Sequence, residues 1–294
     1  MKISPSFSVF SYRPAAFLRA SGPDAAAFLQ GQFTNDLRKL DSERALYGLW
    51  LDRKGRVLAD SQILKERDSE DFLISSMLSP AATLAARLGD HIIADDVAIA
   101  DETVSWRGLA LIGAGTGAWL AAEPRPGFVF PGRRVSGENW EWIHRESDAA
   151  AVQAAVEGAG VVGAAEIERL RIASGIPSVP FDIGPSDLPN EGGLDAVAIS
   201  YSKGCYTGQE VMARIKSLGR VRRTLVRVRG ASAPPVLPAG LWLGGRKEGE
   251  LRSAVPEEAG FAGLALVSVA AAAAGGPLSL GEGPAPAVEI VRGP

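Results

Sequence analysis

The run Lys203-Gly204-Cys205-Tyr206-Thr207-Gly208-Gln209-Glu210 is the most informative stretch of this chain, and it holds the only cysteine among 294 residues. It reads as a presented loop that leads into a helix. Thr207 and Glu210 stand at capping-box spacing, a hydroxyl answered by a carboxylate three residues on, and Val211-Met212-Ala213 continues the helix with Arg214 behind it. Cys205 then lies about two residues ahead of a helix N-terminus, where unpaired N–H groups and the macrodipole favour negative charge. Lys203 is close in sequence, and that setting lowers a thiol's pKa. A free cysteine is more often inert packing. Two glycines, a lysine and a glutamine are poor core material, however, so Cys205 is the candidate functional thiolate.

On either side of this run the sequence changes character. Upstream, Ala164 to Ser174 carries Ile167, Leu170 and Ile172 at helical spacing, with Gly175 at the C-terminal cap position and Pro177 and Pro180 beyond it. An irregular segment from Asp182 to Leu194 follows, containing Asp182, Asp187 and Glu191; loops of that length inside a domain are often functional. Downstream, no Asp or Glu occurs between Val211 and Lys247, whereas Arg220, Arg222, Arg223, Arg227 and Arg229 do. In Thr224 to Arg229 the arginines alternate with valines, which puts Arg227 and Arg229 on one strand face. Such a strip in an acidic protein suggests an anionic ligand or partner. From Pro234 onwards, short apolar runs among glycines and prolines are the signature of a small antiparallel barrel, with Ala270 to Ala274 as a strand end or loop.

A net charge of −3 gives no global attraction to nucleic acid or anionic membrane. One cysteine excludes an internal disulfide, and with two histidines little remains for a metal site within the chain. Residues 1–20 lack the apolar core of a secretory signal, and the longest apolar stretch is too short to span a bilayer, so a soluble cytoplasmic protein without a membrane role is expected. The length suggests two or three domains.

The N-terminal half reads as strand–helix–strand units given twice. A helix starts after Pro23. Ala45 to Leu51 and Val57 to Leu64 form a hairpin across Asp52-Arg53-Lys54-Gly55, Phe72 to Ser75 is a strand, and Pro80 to Leu88 is an amphipathic helix. Val104 to Ile112 and an edge strand at Trp140 to Ile143 bracket a short helix at Trp119-Leu120. Gly113 to Ala118 is glycine-rich after a strand, but it lacks the acidic residue a dinucleotide fingerprint needs and is read as a surface turn. Short connections favour α+β with antiparallel sheets.

Taken together, Phe28-Leu29-Gln30-Gly31-Gln32, Thr34-Asn35-Asp36, Lys54-Gly55-Arg56, Glu168-Arg169-Leu170-Arg171 followed by Gly175-Ile176-Pro177, and the octapeptide make the chain resemble the YgfZ-type folate-binding proteins. These are relatives of the glycine-cleavage aminomethyltransferase. The resemblance implies an α+β, three-domain aminomethyltransferase-like folate-binding fold around a central channel, with antiparallel sheets and a small C-terminal β-barrel. Its domains would be 1–52 with 145–215 as a discontinuous folate-binding domain, 53–144 as an inserted α+β domain, and 216–294 as the barrel. It implies tetrahydrofolate or a derivative in the channel, with the octapeptide facing it. Lys203, Tyr206, Gly208, Gln209, Glu210, Arg223, Tyr47 and Leu51 would bind folate or a partner, and Trp50 would report on the channel.

The functional expectation is a folate-binding accessory protein that supports assembly or repair of iron–sulfur proteins and, through them, tRNA modification. Its partners would be iron–sulfur assembly or client proteins. Cys205 would then be a functional thiolate or a single cluster ligand, the partner supplying the others. Two departures argue against aminomethyl transfer. The transferases carry a Gly-Gly-Ile-x-Asp-Asp run where this chain has Gly55-Arg56-Val57-Leu58-Ala59-Asp60, and a glutamate where it has Ala173. The alternative, a tetrahydrofolate-dependent one-carbon transferase, would keep Asp60 as its remaining acid. A third reading is a binding module that touches tRNA through Arg220, Arg222, Arg223, Arg227 and Arg229.

Overall fold

The computed structural model describes residues 7–42, 44–66, 69–219, 221–282 and 287–291, so Arg220 of the cationic strip lies outside the described residues. Strands β1 (Ser8–Tyr12) and β2 (Ala16–Ser21) precede α1 (Ala25–Gln32). Then come the hairpin β3 (Ala45–Leu51) and β4 (Val57–Lys65), β5 (Phe72–Ser76), α2 (Ala81–Gly89) and β6 (Ala98–Asp101). The next unit holds β7 (Trp106–Ile112), α3 (Thr116–Ala121), β8 (Phe128–Pro131), β9 (Asn139–Arg145), α4 (Ala149–Ala155) and β10 (Gly160–Val161). Helices α5 (Ala164–Ala173), α6 (Asp195–Ala198) and α7 (Gln209–Leu218) lead to β11 (Arg223–Gly230), β12 (Ala239–Leu243), β13 (Arg246–Glu257) and β14 (Gly260–Ser268). The described chain closes with α8 (Val269–Ala274), β15 (Leu278–Ser279) and β16 (Ala287–Ile290).

Two five-stranded sheets, in the orders β3-β4-β5-β2-β6 and β10-β1-β7-β9-β8, accompany a closed barrel of β11 to β16. Pairing is antiparallel except between β1 and β10. The architecture is thus the expected α+β class with a C-terminal barrel. Each sheet buries one face under its helices. Leu46, Trp50, Ile63 and Ile74 meet Phe28 and Leu29 of α1 and Leu84 and Leu88 of α2, while Val9, Leu109, Leu111 and Trp142 meet Leu120 of α3 and Val152 of α4. Phe17, Leu64, Leu73, Trp106, Phe130 and Ile143 pack the two sheets on each other, with the Phe17 and Trp106 rings stacked at 4.0 Å.

Several local expectations change. The 52/53 boundary falls in the β3–β4 turn, whose two strands belong to one sheet, and 144/145 lies inside β9. Strand pairing crosses both positions: β1 leaves its neighbour β2 and joins the sheet of β7 to β10. Strand β9 pairs on both sides and is not an edge. Val269–Ala274 is a helix, because the Ser268 hydroxyl accepts from the Ala271 N–H and caps it.

The 182–194 segment is the joint to the barrel. Asp182, fully buried, accepts from Arg171 at 2.7 Å, from the Ser178 hydroxyl at 2.8 Å and from the Ser253 hydroxyl of β13 at 2.6 Å. Arg223 of β11 meets Asp187 at 2.9 Å and Glu191 at 2.7 Å, and both carboxylates are buried. Removing one partner of a buried ion pair leaves the other charge unpaired, at a cost of about 3–5 kcal/mol. Asp182→Ala is therefore expected to lose that much stability in chemical denaturation; a loss below about 1 kcal/mol, the range of an exposed pair, would contradict the joint.

Candidate functional site

The octapeptide is fastened from within. Lys203, 4% exposed, donates from Nζ to the carbonyls of Gln30 and Phe33 at 2.6 Å each and of Asn35 at 3.0 Å. These groups lie in the last turn of α1 and just beyond it, where helix carbonyls lack intrahelical partners and positive charge is favoured. Burial lowers the amine to about pH 8, so at neutral pH it keeps three protons for three acceptors. Asn35 passes the contact on: its side-chain amide donates to the Tyr47 carbonyl at 2.9 Å.

The capping box is absent. Helix α7 starts at Gln209 with Gly208 as its N-cap residue, and no side chain bonds that end. The Thr207 hydroxyl turns instead to the Gln32 side chain at 3.1 Å, and its N–H to the Gly31 carbonyl at 3.2 Å. Gly208 has φ of +87°, and a Cβ there would come within 2.8 Å of the Asp52 carbonyl. A side chain is thus excluded both by the left-handed conformation and by the β3–β4 turn pressed on it. Tyr206 is buried among Leu49, Leu51 and Met212, and burial raises its phenol pKa. Gln209 is half-buried, and Cys205 and Glu210 are exposed.

A polar cavity of about 50 Å³ lies between the sheets, lined by Tyr12, Tyr47, Asp60, Ser76, Arg133 and Glu141 among others. Asp60 accepts from the Tyr47 hydroxyl at 3.0 Å, from Ser79 at 2.9 Å and from Ser76 at 3.2 Å. Enclosure raises its carboxyl pKa, against the effect of those donors. The Arg133 guanidinium lies 3.8 Å from the Tyr47 ring centroid. Opposite, Glu141 accepts from Tyr12 at 2.6 Å and from Arg134 at 2.7 Å. A wider groove of about 1650 Å³ shares Tyr47, Gln62 and Arg133 with this cavity.

Of the residues singled out in the sequence, Tyr47 and Asp60 meet here. Residues 203–210 line neither the cavity nor the groove; the octapeptide reaches them through Asn35, which lines the groove. Leu51 is fully buried, and its carbonyl accepts from Arg87. Trp50 is also fully buried on the helix side of its sheet, its N–H on Ser61, because strand alternation opposes it to Tyr47. Arg223 belongs to the barrel joint, Arg227 donates to the Ala173 carbonyl at 3.0 Å, and Arg229 faces Glu257 at 3.7 Å. Of the described arginines in the strip, then, only Arg223 meets buried carboxylates; Arg229 is a long exposed pair, Arg227 bonds a neutral carbonyl, and no such contact is made by Arg222. The glycine-rich turn holds a carboxylate of its own chain, Glu138 accepting from Gly117 and Gly115 at 2.7 and 2.8 Å. Sequence reading missed Tyr12, Arg133 and Glu141. The available signal was Glu141, a carboxylate between Trp140 and Trp142 within a strand.

Residues 5–123 match the GCVT N-terminal domain family. The structure resembles the glycine cleavage system aminomethyltransferase T from Bartonella henselae, with a TM-score of 0.79, 18% identity and coverage of 97% of this chain and 85% of that one. The fold is therefore that of the aminomethyltransferase (GcvT-like) proteins. The tRNA-modifying protein YgfZ of Edwardsiella ictaluri is 30% identical over 236 residues, 73% of this chain and 69% of that protein. Its counterpart in Sodalis glossinidius is 28% identical over 245 residues, 78% and 73% of the two chains. The chain belongs to the YgfZ family.

Lys203 gives a pH-dependent signature. Its folded value of about 8 lies below the ordinary 10.5, so between those values the unfolded chain holds the proton more tightly and stability from this group rises with pH. Relative to Lys203→Met, the wild type should gain stability from pH 8 to 10.5 in denaturant titrations. A difference that stays flat or falls across that window would contradict the lowered pKa and mean that the three carbonyls offset the burial.

Proposed function

We propose that this chain is a folate-binding accessory factor in tRNA modification that acts through the assembly or repair of iron–sulfur proteins. The observation that carries the proposal is the polar cavity between the sheets of a YgfZ-family chain, where one acid, Asp60, stands beside the Tyr47 ring and a stacked guanidinium. A pterin presents a flat ring and an amino-pyrimidine edge of donors, and a carboxylate accepts such an edge strongly. The side chains present suit that group, with Asp60 taking the edge and Tyr47 and Arg133 against the ring; the cavity alone, about 50 Å³, is smaller than a pterin, so the ring would occupy the adjoining groove at Tyr47 and Arg133 as well. When bound, tetrahydrofolate supplies one-carbon carrying capacity. In this reading the chain's own residues bind and orient it.

Cys205 suits a role toward a second molecule. Its thiol is exposed on a loop fixed by Lys203, Thr207 and Gly208. Among the described residues no group of three His, Cys, Asp or Glu could hold a metal, so a cluster on Cys205 would take its other ligands from a partner. The buried pairing of Arg223 with Asp187 and Glu191 takes the best-placed cation of the strip out of any tRNA contact, which supports an effect on tRNA through client proteins. No helix among the described residues is long and apolar enough to cross a membrane.

A second reading, one-carbon transfer, is favoured by the position of Asp60 in the cavity, where burial raises its carboxyl pKa. Methylene transfer from an aminomethyl donor, abolished by Asp60→Asn, would establish it.

Calorimetric titration with tetrahydrofolate tests the first reading. Hydrogen bonds to a charged group contribute about 1.5–3 kcal/mol, so Asp60→Asn should weaken binding by about tenfold or more; equal affinities would remove Asp60 from the site. Cys205→Ala should leave folding and folate affinity unchanged while lowering the activity of iron–sulfur enzymes in cells that rely on this protein. Undiminished activity there would end the thiolate role.

A further inference from the structure

Beside the thiol loop lies a group of exposed cations. The β3–β4 turn carries Arg53, Lys54 and Arg56, and α7 carries Arg214; all four are exposed, and none forms an ion pair among the described residues. The turn's own carboxylate is engaged within it. Asp52 Oδ1 accepts from the Lys54 and Arg56 N–H groups at 2.8 Å each, and the Gly55 N–H donates to the Asp52 carbonyl at 3.0 Å. The same turn is seated on the start of α7. Gly55 has φ of +75°, and a Cβ there would come within 2.7 Å of Met212 and 3.1 Å of Val211. From the other side, a Cβ on Gly208 would meet the Asp52 carbonyl. Two glycines thus let the turn press directly on the helix that follows Cys205.

Acids close by are Glu210 at the start of α7 and Asp90 at the end of α2, and neither pairs with these four. In a chain of net charge −3 the face around the loop is therefore locally positive. Two observations favour a protein as its partner. An exposed thiol has chemistry to offer the sulfur or metal centre of another protein, and none to offer a phosphodiester. Base stacking also lacks a platform here, since Tyr206 is buried and Tyr201 lies under the Lys216 ammonium at 3.9 Å. We propose that this face docks the acidic rim of a partner protein, with carboxylates around the partner's thiol or metal centre meeting Arg53, Lys54, Arg56 and Arg214 while Cys205 meets the centre itself. The inference rests on the reading of Cys205 as a thiolate that acts on a second molecule, and adds the surface that selects it. Charges of this kind steer encounter and orientation more than they add affinity.

The test is therefore a rate. Cys205 is the only cysteine of the chain, so its reaction with a cysteine peptide activated as the thiopyridyl mixed disulfide reports on this face alone. The Cys205 thiolate attacks the peptide sulfur, the bond to thiopyridine breaks, and the released thiolate takes up a proton to leave as thiopyridone. One peptide carries Asp and Glu on both sides of its cysteine, the other Lys, and each rate is taken relative to neutral dipyridyl disulfide, which cancels changes in the thiol itself. The acidic peptide should react about tenfold faster or more than the basic one at low salt and lose most of that advantage at high salt. Combining Arg53→Gln, Lys54→Gln and Arg56→Gln should remove most of the advantage, and Arg214→Gln a smaller part. The triple variant should also lower iron–sulfur enzyme activity in cells while keeping its folate affinity. Equal rates for the two peptides, or full activity of the triple variant in cells, overturn the docking face and leave the thiolate role to the Cys205→Ala comparison. Slowing of the acidic peptide by tRNA, where polyglutamate of equal charge has no effect, would give the face to nucleic acid and overturn the assignment to a protein.

Discussion

The Lys203 ammonium, donating to three carbonyls at the end of α1, is the contact on which the loop, the helix and the cavity wall depend. A buried ammonium is tolerated only where its protons are answered, and here the acceptors are carbonyls that the helix terminus leaves unpaired. The exchange satisfies both sides. It fixes the octapeptide with Cys205 outward and Tyr206 inward, and it holds Asn35, whose amide bonds the Tyr47 carbonyl beside Asp60. Lys203 and the cavity are thus joined by a short chain of hydrogen bonds, although no residue of the octapeptide lines the cavity.

That arrangement separates two jobs which the linear sequence places together. The octapeptide leaves its thiol exposed, while the cavity between the sheets holds a carboxyl and an aromatic–guanidinium stack. Barrel attachment is a third function, carried by the buried pairs of Arg171 with Asp182 and of Arg223 with Asp187 and Glu191. These pairs also account for the acids of the 182–194 segment, whose irregular backbone is anchored by side chains and not by secondary structure.

Much of this was legible in sequence. The hairpin at Asp52–Gly55, the helix ending at Gly175 and the barrel followed from alternation, capping glycine and composition, and the octapeptide pointed to the family. The cavity was less legible because its walls come from β3 and β4 on one side and β8 and β9 on the other, and only strand pairing reveals that they face each other. Trp50 was misplaced for a simpler reason: one residue of register turns a strand side chain from cavity to core. For the cationic strip, sequence shows the charges of Arg223 and Arg227 but not the groups they bond, Glu191 and the Ala173 carbonyl, 32 and 54 residues away. Cys205 was read as aided by Lys203, whereas that lysine points inward to carbonyls.

The most direct test of this coupling is amide hydrogen exchange with and without saturating tetrahydrofolate. Slower exchange is predicted in 45–62 around Tyr47 and Asp60, and also in 30–37 and 203–209, which Lys203 ties to that wall. Protection confined to the barrel strands, or no change in 203–209 when 45–62 is protected, would contradict the account.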